Sequence, residues 1–383
     1  MRLAMVAGEA SGDLLAGLLL GGLKQRWPAL AAAGIGGPRM AEQGFEAWWP
    51  SDKLAVHGYA EALRHYREIA GIRNALAARL LGATGDERPA AFIGVDAPDF
   101  NLGLEQRLKA AGTKTVHFVC PSIWAWRGGR ARKLAASCDH VLCLFPFEPA
   151  LLREHGVAAT YVGHPLADTI PLVPPRAASR AALGLGADDV VVALLPGSRR
   201  GEVRHIAPPF LRAAALLHRQ RPALRFVLPV APGLDALLTP MLAEHASGVP
   251  IQLMTGQSNA SHAALAACDV TLIASGTATL EAALFKRPMV IGYAMHPLSW
   301  AIMKRMRYQP WAGLPNILLR DFVVPELLQH DCRAEPLAAA VARWLDDDAA
   351  RAALATRFEA LHHELRRDTA RAAADAIAQV LQA

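Results

Sequence analysis

Cysteine is scarce in this chain of 383 residues, and its copies are badly placed for metal or disulfide chemistry. Cys120, Cys138, Cys143, Cys268 and Cys332 form no CxxC pair and have no histidine at zinc-finger distance. That excludes a zinc ribbon and a small disulfide scaffold, and leaves them as reduced, buried small hydrophobes. Nor does any other set of His, Cys, Asp or Glu have metal-ligand spacing, so neither a metal nor a cofactor is expected. Aromatic residues make up only 6%, and neither a basic-aromatic RNA motif nor a long Lys/Arg block occurs. The net charge of +6 therefore does not argue for nucleic acid. Long apolar runs are also missing. Residues 14–23 hold three glycines and fall well short of the roughly 20 residues a membrane span needs. Glu9 and Asp13 interrupt the N-terminal apolar stretch, so no signal peptide is expected there. The expected location is cytoplasmic, with contact to a membrane only from that side.

What the chain does have is apolar bulk: 53% hydrophobic against 19% charged residues. That is enough for two cores, with room for an exposed greasy surface. The mild positive charge suits phosphate-bearing ligands or an anionic lipid surface. Short apolar runs alternate with helical patterns, which predicts α/β architecture with parallel sheets. Residues 3–7 read as a first strand, followed by Gly8-Glu9-Ala10-Ser11-Gly12-Asp13 and a helix to about Arg26. Strands over 90–95, 115–119, 140–144 and 160–162 follow. After the Pro-rich stretch 165–175 the pattern restarts with a strand over 190–195, a Gly/Ser turn and a helix from about Ile206. Strands over 225–230, 251–254, 270–274 and 289–293 complete it. The boundary near 165–178 gives two Rossmann-like domains, 1–168 and 169–345, then a helical tail, 346–383. The tail is expected to pack back on the first domain or on a partner subunit. Ligands of such sheets bind at the carboxyl ends of the strands, so a two-domain arrangement has its site in a cleft.

The most informative stretch is Ser275-Gly276-Thr277-Ala278-Thr279-Leu280-Glu281, directly after an apolar run and opening a helix. Small and hydroxyl residues at such a turn leave backbone N–H groups free for an anion, and Gly276 has no Cβ to keep a phosphate away. Glu281, a turn further in, would repel phosphate but suits the hydroxyls of a ribose. A plain helix cap at Ser275 with a solvated Glu281 fits the same letters. Gly197-Ser198-Arg199 offers backbone donors and a guanidinium at a second helix start, a competent grip on a diphosphate. Asp96, in Ile93-Gly94-Val95-Asp96-Ala97-Pro98-Asp99-Phe100-Asn101, follows a strand and can serve as a general base on an alcohol. Turn and cap roles are the alternative for it, and the favoured reading for Asp99. Pro121-Ser122-Ile123-Trp124-Ala125-Trp126-Arg127 sets aromatic faces beside a cation, suited either to a sugar phosphate or to a core Trp pair with a solvated Arg. Residues 54–81 carry Leu63, Tyr66, Ile69, Ile72, Leu76 and Leu80 among four arginines. That stripe fits either an amphipathic core helix or a membrane-facing one. His117 and His164 read as structural histidines rather than ligands.

In their order along the chain, the motifs, together with Leu314-Pro315-Asn316, resemble those of the lipid-A-disaccharide synthases nearly end to end. The resemblance implies an inverting glycosyltransferase of the two-Rossmann-domain GT-B class. It would join UDP-2,3-diacylglucosamine to 2,3-diacylglucosamine 1-phosphate, releasing UDP and a β-1′,6-linked disaccharide 1-phosphate for lipid A. Carried over by position, Asp96 is the base on the acceptor 6-hydroxyl. Arg199, Ser275, Gly276, Glu281 and Asn316 belong to the UDP side, and Glu9, Ser11, Gly12 and Asp13 to the acceptor side. Trp126 and Thr277 join the substrate-binding set. The resemblance also implies that 54–81 faces a membrane, that the protein is peripheral on the inner membrane, and that a homodimer is possible. Two positions depart from the family pattern: His57 stands where Met usually precedes the glycine, and Cys120 where serine usually precedes Pro121. The rival enzyme is a UDP-N-acetylglucosamine 2-epimerase of the same architecture; the rival without catalysis is a peripheral lipid carrier.

Overall fold

The computed structural model describes residues 1–54, 59–124, 129–257, 259–295, 300 and 308–382, without the side chains at 52 and 59–66. Among the described residues, strands form two sheets, and every pairing is parallel. The first holds β1 (Arg2–Ala7), β2 (Ala31–Gly36), β3 (Glu46–Pro50), β4 (Ala91–Val95), β5 (Lys114–Phe118), β6 (His140–Cys143) and β7 (Ala159–Tyr161). Their order is β3-β2-β1-β4-β5-β6-β7. The second holds β8 (Val191–Leu195), β9 (Arg225–Pro229), β10 (Ile251–Met254), β11 (Val270–Ala274), β12 (Met289–Tyr293) and β13 (Glu326–Leu328), in the order β10-β9-β8-β11-β12-β13. Each sheet runs outward from its first strand, then reverses and continues on the other side. The reversal lies between β1 and β4 in one and between β8 and β11 in the other. Loops diverge there, opening a crevice at the carboxyl ends of the strands.

The expected parallel α/β class is what the chain adopts. Its central strands β4, β8 and β11 are buried at every residue, as sheets covered on both faces require. On one face of the first sheet, the Ala10–Arg26 helix packs Leu19, Leu20 and Leu23 against β1 and β4, together with Ile377 of the C-terminal Thr369–Gln382 helix. Gly22 of that first helix serves this docking: a Cβ on it would lie 2.5 Å from the Ala370 carbonyl oxygen. The other face takes Ile72, Leu76 and Leu80 of the Tyr59–Gly82 helix with Phe100, Leu104 and Leu108. The second half of the 54–81 stripe therefore belongs to a core. Leu63 and Tyr66 of the stripe, with the His57 departure, lie outside the described side chains. In the second sheet the Arg200–Gln220 and Ala334–Asp346 helices bury Phe210, Leu217, Leu337 and Val341.

The chain forms two compact units, Met1–Asp168 with Leu365–Ala383, and Thr169–Glu364. The Arg200–Gln220 helix starts a turn and a half earlier than its sequence suggests, so Pro208 and Pro209 are interior. They deprive the carbonyls of Arg204 and His205 of helical partners, on residues that are both exposed. All five cysteines are buried and unbridged. Among the described residues, no helix is long and apolar enough to cross a membrane and no His/Cys/Asp/Glu group is arranged for a metal.

Candidate functional site

The second unit carries a cavity of about 620 Å³ at its topological switch point, within the range of small-molecule sites. One wall is the turn after β8, with Gly197, Ser198, Arg199 and Glu202; the facing wall is the turn after β11, Ser275 to Ala278, with Glu281. Two helices begin here, Arg200–Gln220 and Thr277–Leu284, and neither has a side-chain cap bond at its N-terminus. Their leading N–H groups and dipoles are thus available to an anion. Gly276 is the cap residue of the second, at φ 152 with nothing within 4 Å of a notional Cβ. Glycine is there for its backbone angle, not for space.

Ser275 is not a helix cap. Its hydroxyl donates to the Ala312 carbonyl at 2.8 Å, lacing the 312–316 segment to the cavity wall. Thr279 adds to that lacing by accepting from the Leu314 N–H at 3.3 Å. Glu326 accepts from the Ala312 and Gly313 N–H groups, both at 2.8 Å. Asn316 is fully buried: its amide donates to the Val324 carbonyl and to Glu326, and its oxygen accepts from the Val324 N–H. It does not line the cavity, and its part in the site is to hold the 312–316 segment. Arg199 is 79% exposed, with Glu202 as its ion partner at 3.8 Å. The Glu281 carboxylate lies 3.7 Å from His262 Nε2 and is 18% exposed. Burial raises the Tyr293 hydroxyl above the usual tyrosine value, Glu202 adds to that and Arg199 opposes it. Tyr293 and the Pro229–Pro232 segment also line the cavity, as do Gln257, Ala260 and Ser261. Sequence motifs did not single them out, although Tyr293 and the Pro229–Pro232 segment sit at the carboxyl ends of strands already legible as β12 and β9.

The first unit builds a different corner at its own switch point. Asp96 follows β4 at φ 51 and Ala97 comes next at φ 43, two successive left-handed residues without a glycine. Such conformations cost roughly 1–3 kcal/mol each and persist where the surroundings impose them. Among the described residues, the half-buried Asp96 carboxylate has no hydrogen-bond partner. The turn after β1 abuts it, since a Cβ on Gly8 would lie 3.2 Å from the Ala97 Cβ. Glu9 and Ser11 are exposed at the start of the Ala10–Arg26 helix, and Gly12 is buried behind them.

Asp13, by contrast, is 3% exposed. Its carboxylate accepts from the N–H groups of Gly37, Arg39 and Met40 at 2.8, 2.9 and 3.2 Å, capping the Pro38–Ala41 turn. Its task is to fix β2's exit rather than to meet solvent. Asp99 is not the cap of the Pro98–Ala110 helix but a first-turn acid paired with Arg130 at 2.7 Å. Trp126 and Arg127 lie outside the described residues. Trp124 donates its indole N–H to Glu148 at 2.9 Å and packs edge-on against Phe145 and Phe147. Burial pushes the Glu148 carboxyl up to about 8, opposed by the bonds it accepts from Phe145 N–H and Trp124. Burial likewise brings His164 down to about 4.

With this geometry in view, the comparisons with known proteins can be read. The chain is 61% identical over 389 residues to lipid-A-disaccharide synthase from Albidiferax ferrireducens, covering 100% of this chain and 98% of that one. In fold it is similar to Arabidopsis thaliana UGT89C1 complexed with quercetin, at TM-score 0.65 and 13% identity over 99% of both chains. It is similarly close to UDP-GlcNAc 2-epimerase from Neisseria meningitidis bound to UDP-GlcNAc, at TM-score 0.62 and 11% identity over 100% of both. The two structures bear on architecture alone, that of GT-B glycosyltransferases and epimerases, and do not choose between them. Sequence does: the profile of the lipid-A-disaccharide synthetase family matches residues 3–380, and the chain belongs to that family of glycosyltransferases of lipid A biosynthesis.

Proposed function

We propose that the protein transfers the sugar of UDP-2,3-diacylglucosamine to the 6-hydroxyl of 2,3-diacylglucosamine 1-phosphate, with UDP bound in the cavity of the second unit. The observation that carries this reading is the pairing of two uncapped helix starts and Arg199 with the recessed Glu281 carboxylate in one cavity, whose other carboxylate, Glu202, is the ion partner of Arg199. Cationic and N–H groups suit a diphosphate, and a carboxylate one turn away suits the ribose hydroxyls.

The donor is α-linked and the product β-linked, so one displacement with inversion suffices. The acceptor oxygen forms its bond to the donor C1 from the face opposite the diphosphate. The C1–O bond to UDP breaks as its electron pair leaves with the β-phosphate, and Asp96 takes the hydroxyl proton. One base is enough, in contrast to the paired carboxylates of retaining sugar chemistry. Arg199 and the helix starts stabilise the charge growing on the leaving diphosphate. Glu9, Ser11 and Gly12 flank the base on the acceptor side. Asp13 and Asn316 act on this reading by holding backbone. Acylated substrates put the enzyme at a lipid surface, as a peripheral protein of the cytoplasmic face of the inner membrane.

The deciding experiment supplies both lipids in detergent with EDTA and measures UDP release and product mass. UDP release that requires both lipids, with a disaccharide 1-phosphate formed, is the expected result. No release after magnesium is restored, while a control synthase turns over, sinks the proposal. Turnover of a non-acylated UDP sugar without acceptor points to an epimerase instead.

A further inference from the structure

Under Asp96 lies a line of buried polar groups that the proposed chemistry does not use. Asn101 and Glu105 stand four residues apart, on one face of the Pro98–Ala110 helix. His117 belongs to β5, beside Gly94 of β4 in register. All three side chains are completely buried. Asn101 donates to the Asp96 carbonyl at 2.8 Å and to the Val95 carbonyl at 3.4 Å. Glu105 Oε1 lies 2.7 Å from His117 Nδ1. Gly94 admits them: a Cβ there would overlap Glu105 Oε1 and come within 3.0 Å of the Asn101 side chain.

This arrangement is costly. Asn101 Oδ1, Glu105 Oε2 and His117 Nε2 are buried with no hydrogen-bond partner, and each such atom costs about 1–3 kcal/mol. Burial holds the Glu105 carboxyl above its usual range, against the opposing pull of His117. A well-packed apolar set of similar volume is often as stable as a buried ion pair or more so. The fold alone therefore does not account for these residues. Their position does, because the carbonyl that Asn101 holds is that of the peptide joining the two left-handed residues, Asp96 and Ala97.

We propose that Asn101, Glu105 and His117 are positioning residues for Asp96. Asn101 holds the strained Asp96–Ala97 peptide, and the Glu105–His117 contact seats the Asn101 helix on β4 and β5 so that the carboxylate meets the acceptor hydroxyl. This rests on the reading of Asp96 as the base.

The test is a double-mutant cycle in the full-length chain, reading kcat, acceptor KM, UDP Kd and melting temperature. Asn101→Ala is expected to lower kcat roughly 100-fold, the scale of a misplaced catalytic group, with acceptor KM and UDP Kd little changed. The apolar pair Glu105→Met/His117→Leu is expected to lower kcat about tenfold at an unchanged or raised melting temperature, the loss expected of a slightly misplaced base. In an Asp96→Asn background neither change should reduce the residual rate further, since groups acting through one residue are not additive. Full kcat in Asn101→Ala, additive losses in the Asp96→Asn background, or a fall in kcat that only follows a lower melting temperature would each overturn the proposal and leave Asp96 as the base. Full activity of Asp96→Asn alone would overturn the base reading itself. If Asn101→Ala does not fold, the apolar pair, which removes buried unpartnered polar atoms, carries the cycle by the same criteria.

Discussion

The two units share the order of their first six strands, yet the crevices at their switch points carry different chemistry. In the second unit the turns after β8 and β11 present Gly197, Ser198, Arg199 and Gly276 with two uncapped helix starts, a surface that welcomes negative charge. In the first unit the corresponding turns present Glu9, Ser11 and Asp96, and the strand-to-helix turn after β4 is bent through two left-handed residues without glycine. The backbone freedom that Gly276 supplies without strain is imposed at Asp96 by buried hydrogen bonds. One turn leaves its main chain open; the other bends around a side chain. A donor that is a nucleotide and an acceptor that must lose a proton call for these two designs.

The sharpest way to break the comparison is to remove one chemistry and read both. Asp96→Asn should lower kcat by roughly a thousandfold, the middle of the general-base range, and leave UDP affinity as it was. Single-turnover product formation alongside UDP titration checks it; a variant with normal turnover takes Asp96 out of the reaction. Arg199→Ala should do the reverse in binding. Losing a charge-assisted contact to the diphosphate weakens UDP by roughly 30-fold and slows turnover as well. If UDP binds Arg199→Ala as tightly as the parent, the diphosphate is held by backbone alone.

How much of this the sequence discloses depends on whether the cause is local. The strands β1 and β4 to β12 announce themselves as apolar runs, and the turns that follow β8 and β11 carry the residues that line the cavity. The strand β2, Ala31–Gly36, is mostly Ala and Gly and gives little strand signal, and β13 has three residues. Residues tied up by distant partners could not be read as such. Nothing near Asn316 says that Val324 and Glu326 will consume its amide, and nothing near Asp13 says that its carboxylate will cap a turn beyond residue 36. Both are polar residues in a motif, and only tertiary packing assigns them to the scaffold. The reverse holds for Tyr293 and the Pro229–Pro232 segment, which carry no motif but inherit a place in the cavity from their strand ends.

A smaller effect sharpens the assignment within the second unit. Glu281→Ala should weaken UDP about tenfold, the value of hydrogen bonds to a charged acceptor. It should matter much less for a ligand without a ribose, such as pyrophosphate. Equal losses for UDP and pyrophosphate would assign Glu281 to the electrostatics of the phosphate site and not to the sugar.

The smallest effect on activity is a difference in titration, and it separates the units again. In the second unit, Tyr293 and Cys332 are raised and Asp346 is lowered, all away from the span from pH 4.5 to 8, whereas Glu148 and His164 of the first unit lie within or next to it. Burial keeps Glu148 protonated in the native state up to about 8, against 4.5 when unfolded. Between those values the native state holds the extra proton, so stability falls as pH rises. His164 is neutral in the native state down to about 4, against 6.5 when unfolded, so its contribution rises with pH over that interval. The two oppose each other between pH 4.5 and 6.5, leaving Glu148 unopposed by His164 from 6.5 to 8. Its share of that fall is about 2 kcal/mol, at 1.36 kcal/mol per unit, or a few degrees in melting temperature. Glu105, also raised by burial, pulls in the same direction, so the informative quantity is the difference between parent and Glu148→Gln. The variant should lose that part of the slope while keeping kcat at pH 7 within about twofold, since the amide oxygen still accepts from Trp124. Parallel melting curves across pH 6.5 to 8 would mean that Glu148 is ionised in the native protein. The bond from Trp124 would then be made to a buried carboxylate, and the aromatic wall of the first unit would rest on a charge.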